Sequence, residues 1–426
     1  LPRGIDRCAL VSVLTAVIGQ HAMMRARLYR KEVGSQQEWR IVAGSASSID
    51  VDALLSRVQV ESGQGIPEGV WEAAVSELNP FLGNVVRAVW LDCGPDGEGS
   101  LLLVAHHLIF DGVSSRIVLE DLAAAWADIE AGRPLAPSAG GTSMRTWLHA
   151  LRAEASSASR VAELAMWKSM LEGPDPLPGI RALDPAVDTT SKIQRVQTFI
   201  DTETTSAILG PGLAGEEPQL GDILMAALAV AVARWQGRRG VVLPSVLLRL
   251  IGHGRQELAG ADLSRTVGWF NSIYPLRIDL SGIHLDEDPA GNRDIAAAVL
   301  AVAQRVQSIP DGGVGYGLLR YLNRDTAQEL PAEMPGRICF NYLGQIQTDT
   351  KDAGAWKPIV EGLYESMPDP GLPAAAALDI TVVVIDGRMI GDFGFPTLLF
   401  EMREVQELAE LWADVLSSLA VTVSSR

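Results

Sequence analysis

The chain has 426 residues, 47% hydrophobic and 20% charged, with 35 Lys and Arg against 52 Asp and Glu for a net charge of −17. Such a length supports two or more domains with buried cores, and the balance excludes disordered and fibrous classes. It also lacks a phosphate-neutralising surface, so nucleic acid is not an expected partner.

In chain order, a helical pattern from Ala9 to about Ala22 leads through the basic run HAMMRARLYR into a strand candidate at Glu38 to Gly44. A second helix is expected at Val51 to Val60. The apolar runs VVRAVWLD and SLLLVAHHLIF are separated by CGPDGEGS, which predicts a hairpin of two antiparallel strands and puts His106 and His107 on an inner strand. Strand side chains alternate between faces, so one imidazole faces a cavity and its neighbour the packed interior. Imidazole titrates nearest neutrality, which suits it to move a proton; a hydrogen-bonded core histidine is the competing account of the pair. Asp111 and Gly112 close the loop, an amphipathic helix follows through VLEDLAAAWADIEAG, and another runs from Ser143 to about Glu172.

Gly173 to Thr190 carries four prolines and two glycines without apolar periodicity and reads as an interdomain linker, dividing a first domain at 1–172 from a second at 191–426. The second half repeats a similar order: a strand at RVQTFID, a helix from Asp222 to Trp235, the strand VVLPSVLLRL, a helix near Asp294 to Val306, strands at RICFNYLG and DITVVVIDGRMIGDFGF, and a closing helix from Met402. Two α/β (α+β) halves with mainly antiparallel strands suggest a pseudo-dimer around a cleft, a favoured place for ligands. The longest apolar run, Ile223 to Ala233, is too short for a bilayer, so no membrane association is expected. Cys8, Cys93 and Cys339 show no metal-ligand spacing and no disulfide framework, and a reducing cytoplasm is the expected compartment. Ser114 and Ser115 lack the GxSxG pattern of a nucleophile elbow. A metal site from His106, His107 and His253 is disfavoured because adjacent strand histidines diverge. The opening LPRGIDRCALVSVLTAV enters a helix almost at once, as in a piece of a longer chain.

Further runs stand in a consistent order about HHLIFDG: HAMMRARL with Arg25 before it, then DILMAALAVAVARW with Asp222, IGHGRQE, RTVGWFNSIYP, GGVGYG and FNYLGQ after it. Together they resemble the epimerization domains of nonribosomal peptide synthetases, members of the condensation-domain superfamily. The resemblance covers nearly the whole chain, except that the family's opening segment is expected upstream of Leu1. It implies two chloramphenicol-acetyltransferase-like lobes in a V-shaped pseudo-dimer around a central tunnel. It implies an isomerase that inverts the α-carbon, from L to D, of an aminoacyl or peptidyl thioester held on the phosphopantetheine arm of a carrier protein. The partners implied are that carrier and the neighbouring synthetase modules, and no cofactor or metal is bound by the domain itself.

By the same resemblance His107 is the base, or the acid that returns the proton. His106 is structural, Asp111 shapes the loop by pairing with Arg25, and Asn341 contacts the substrate or enolate, Tyr342 falling on the other face of its strand. Tyr316 either offers a hydroxyl near the tunnel or packs as a turn aromatic, Trp269 and Phe270 either pack a core or touch substrate, and Arg116 either meets the carrier's phosphate or is plain surface charge. One position departs from the family: Ile251 stands where active members carry a glutamate, the second acid or base. Glu257, six residues on, does not replace it. Three readings remain: epimerization without that acid, another His107-dependent reaction on carrier-bound substrate such as acyl transfer, or a non-catalytic docking platform.

Overall fold

The computed structural model describes residues 1–33, 36–95, 97–135, 141–177, 179–209, 219–283, 291–348, 356–357 and 369–424. The chain forms two compact units, one of Leu1–Ala150, Arg255–Asn271 and Thr348–Met367, the other of Leu151–Gly254, Ser272–Gln347 and Pro368–Arg426. The units are not the two halves of the sequence. Residues 255–271, carrying the end of IGHGRQE and most of RTVGWFNSIYP, belong to the first unit, and the proline-rich stretch at 173–190 lies inside the second.

The first unit opens with helix Arg7–Gln20, capped by Asp6, whose carboxylate accepts the Ala9 amide at 2.8 Å. Strands β1 (Ala26–Val33) and β2 (Gln36–Ala43) form a two-stranded antiparallel ribbon. Strands β3 (Leu55–Gln59), β4 (Val86–Asp92) and β5 (Ser100–Ala105) form a sheet in that order, parallel between β3 and β4 and antiparallel between β4 and β5. The hairpin is as expected, but among the described residues β5 is an edge of this sheet and not an inner strand. The expected helix at 51–60 is one turn, Val51–Leu54, and then β3, because residues 55–59 gain a full ladder against Ala88–Asp92 that a short helix does not offer. Helix Gly112–Glu130 buries Ile117 and Leu122 in one apolar cluster with Leu10, Leu14 and Val17 of the first helix.

In the second unit six strands pair in the order β6–β11–β10–β9–β7–β8, with β6 at Ile193–Ile200, β7 at Ser245–Gly252, β8 at Ser272–Asp279, β9 at Ile338–Ile346, β10 at Leu378–Ile385 and β11 at Arg388–Pro396. The sheet is mixed, since β9 runs parallel to both β7 and β10. Helix Leu220–Gly237 is long and apolar enough to cross a membrane by length and composition, and 83% of it is buried in the core. Its start is a capping box in which the Asp222 carboxylate accepts the Gln219 amide, and burial raises the Asp222 pKa. The expected helix at 143–172 is three segments, Met144–Glu154, Ala158–Ala162 and Leu164–Leu171.

The stretch at 173–190 is not a free linker. Leu177 is fully buried, Arg337 donates to the carbonyls of Leu177 and Ile180, and Arg181 pairs with the buried Asp188 at 2.6 and 2.7 Å. Prolines lower its conformational entropy without obliging it to leave the surface on which it packs.

Candidate active site

Strand β5 ends at Ala105, and the histidines occupy the turn that follows, a short 3-10 helix at His107–Ile109 with His106 as its cap. Strand alternation therefore does not divide the pair; hydrogen bonding does. His106 Nδ1 accepts the Leu108 amide at 3.1 Å, which leaves the neutral ring's proton on Nε2. Burial first, and the neighbouring His107 second, hold the His106 pKa below the ordinary value. His107 is the reverse. Its Nδ1 lies 2.7 Å from the Phe110 carbonyl, an acceptor only, so Nδ1 carries the proton and the lone pair sits on Nε2 of an exposed ring. Trp269 stacks on that ring, centroids 4.7 Å apart and planes at 23°.

Asp111 caps helix Gly112–Glu130 by accepting the Ser114 amide at 2.8 Å. Its cation is Arg255 of the GHGR run, with Nη2 at 2.8 and 3.1 Å from the two carboxylate oxygens. The expected pairing with Arg25 is not made. Arg25 follows the first helix, whose last carbonyls lack intrahelical donors, and it donates to Ile18 and Gly19 at 2.6 Å each and to Gly44 at 3.2 Å. Arg255 also donates to the Leu263 and Thr266 carbonyls, so one guanidinium ties the HHLIFDG loop to the segment carrying RTVGWF. A Cβ at Gly112 would meet nothing within 4 Å, so the fold itself does not require glycine there. Arg116 is exposed.

The remaining site residues lie in the second unit. Along β7, Val246, Leu248 and Leu250 enter the core and Ile251 faces the other way, paired across the sheet with the 39% exposed Ile273. Leu250 pairs with Phe340 of β9, so Ile251 and Asn341 follow one another onto the same face, while Tyr342 packs on the core. Burial raises the Tyr342 pKa. Tyr316 is a core residue: it is fully buried, edge-on to Trp167 at 5.5 Å, and burial pushes its hydroxyl up to about 12. The sequence favoured neither placement, and the helical turn Val314–Gly317 decides for packing. In the RTVGWF run of the first unit Phe270 is buried, whereas Trp269 is 47% exposed. Sequence reasoning missed the Ser114 hydroxyl, within hydrogen-bond distance of Asp111, Arg255 and Gly268; its spacing three residues after Asp111 in an N-cap pattern was the available signal.

Among the described residues no group of three or more His, Cys, Asp or Glu is arranged to hold a metal ion. Cys8, Cys93 and Cys339 are free, and burial pushes the Cys339 thiol up to about 12.

A family model described as Condensation domain matches residues 1–426. One of the linear gramicidin synthase proteins of Brevibacillus parabrevis is 36% identical over 418 residues, 97% of this chain and 5% of that protein. Another protein of the same synthase is 31% identical over 420 residues, 97% of this chain and 8% of the relative. The chain thus spans a small fraction of the curated relatives it matches. In fold it is similar to the crystallised epimerization domain from the third module of tyrocidine synthetase B, with a TM-score of 0.79 at 22% identity over 99% of this chain and 90% of that one. It is also similar to the first condensation domain of the CDA synthetase, at 0.68 and 18% identity over 98% and 89%.

Proposed function

Because the chain belongs to the condensation-domain family, we propose that it acts on an aminoacyl or peptidyl thioester presented on the phosphopantetheine arm of a carrier protein, where His107 removes the α-proton and the product is the D epimer. The observation that carries this reading is the tautomer of His107, whose Nδ1–H is spent on the Phe110 carbonyl. The free lone pair on Nε2 is a general base, and the Nδ1 hydrogen bond persists when the ring becomes imidazolium. A thioester carbonyl acidifies the neighbouring C–H, so an imidazole is basic enough to assist its removal as an enolate forms. The motifs RTVGWF, GVGYG and FNYLG support inversion over peptide-bond formation.

Inversion also needs a proton delivered to the opposite face. Ile251, where the resemblance places a glutamate, supplies none, so solvent water is the proton source in this reading and exchange outruns inversion. The same residue favours a second reading, in which Nε2 takes the proton of an attacking amine during acyl transfer. The test is incubation with an L-aminoacyl carrier protein in deuterated water. Deuterium at Cα together with D product is the expected outcome, and deuterium with retained L configuration reduces His107 to a one-face exchanger. Absence of exchange overturns the Cα reading and leaves acyl transfer or docking. His107→Ala abolishes exchange if the imidazole is the base.

A further inference from the structure

We propose that Trp269 is a positioning residue that aims the His107 imidazole, an inference that rests on the proposed function only for the identity of the base. Among the described residues one hydrogen bond, from Nδ1 to Phe110, is made by the His107 ring, and it fixes one direction of the ring while leaving its plane free to swing. The Trp269 indole, stacked at 4.7 Å and 23°, fixes the plane. Its exposure of 47% sets it apart from Val267 and Phe270, which are 3% and 7% exposed and belong to the core. A tryptophan that leaves so much surface in water is not placed for burial.

The backbone on both sides of Trp269 is fastened to the loop that bears His107. On one side the Gly268 amide donates to Ser114 Oγ at 3.1 Å, and the Gly268 carbonyl lies 3.0 Å from the same hydroxyl. On the other the Phe270 amide donates to Asp111 Oδ2 at 3.2 Å, across a sequence separation of 159 residues. A Cβ at Gly268 would fall 2.4 Å from Met144 Cε and 2.8 Å from the Phe270 ring, so the side chains of Met144 and Phe270 pack closely against the backbone there. Asp111, Ser114 and Arg255 therefore do more than stabilise a turn. They hold an indole from far downstream against one imidazole. The negative face of the indole also stabilises the positive charge that the ring takes on with a proton.

The test is NMR of the isotopically labelled chain with Trp269→Leu and Trp269→Phe, using His107→Ala to assign the ring resonances. The His107 Cε1 and Cδ2 protons are expected upfield in the parent, moved downfield by Trp269→Leu and largely restored by Trp269→Phe. The kcat for α-deuterium exchange is expected to fall about tenfold or more in Trp269→Leu with KM unchanged. Ring resonances that do not move in a Trp269→Leu protein with otherwise native amide shifts overturn the stack, and a moved ring with unchanged kcat overturns the positioning role. If the parent shows no exchange, the Cα reading fails and the resonances alone judge the stack.

Discussion

Asp111 and Arg255 have side chains 1% and 6% exposed, and each is satisfied from several directions. Two charges so deeply buried are tolerated only while both are present, since removing one leaves the other without compensation. Asp111→Asn keeps the shape of the cap and deletes the charge, so it isolates this effect. A loss of about 3–5 kcal/mol in urea unfolding is expected. Asp111→Asn combined with Arg255→Met costs less than the sum of the single changes; simple additivity would show that the pair is not coupled. The need for a cation beneath Asp111 was legible from sequence, but its identity was not. Arg25 and Arg255 both stand in motif runs, and spacing does not rank them. What decides is local demand: Arg25 lies beside unsatisfied helix-end carbonyls, which it takes first. The two histidines differ in their hydrogen bonds, His106 to the Leu108 amide and His107 to the Phe110 carbonyl, a difference that the strand alternation expected from sequence does not produce.

Among the elements, the stretch at 173–190 shows how composition misleads. Four prolines predict a loose connection, but Leu177 and Asp188 are buried and fasten the chain to the second unit. Arg181 hydrogen-bonds the Asp188 carboxylate and holds its pKa below the usual value. A carboxyl lowered in the folded state contributes stability that is present above its unfolded pKa and lost as pH falls through the folded one. The cost of Asp188→Asn in urea melts is therefore expected to be full at pH 7 and to shrink below about pH 4; a pH-independent cost would contradict it. Long, strongly patterned elements, such as the helix around Ile223 to Ala233 and strands β9 to β11, were readable because burial on one or both faces fixes their pattern. β3 was not, because its five residues owe their conformation to a partner strand distant in sequence, Leu55 lying opposite Ala88.

At the scale of the whole molecule, motifs that are late in sequence serve both units: Arg255 and Trp269 complete the first, and Ile251, Tyr316 and Asn341 belong to the second. Ile251→Glu tests the proposal that the glutamate implied there by the family resemblance is what this chain lacks for inversion. The half-buried position beside Ile273 raises the pKa of a carboxyl placed there, as an acid catalyst requires. A gain of D product is expected in the carrier-bound assay. A folded variant with no gain would mean that more than this acid has been lost.

The discontinuous first unit also sets a schedule for synthesis. Arg255 is 144 residues beyond Asp111. At ribosomal rates of about 5–20 residues per second, the carboxylate waits about 7–30 s for its guanidinium. During that interval the His107 turn exists without its clamp, and residues 1–150 remain an incomplete unit until 255–271 have been made.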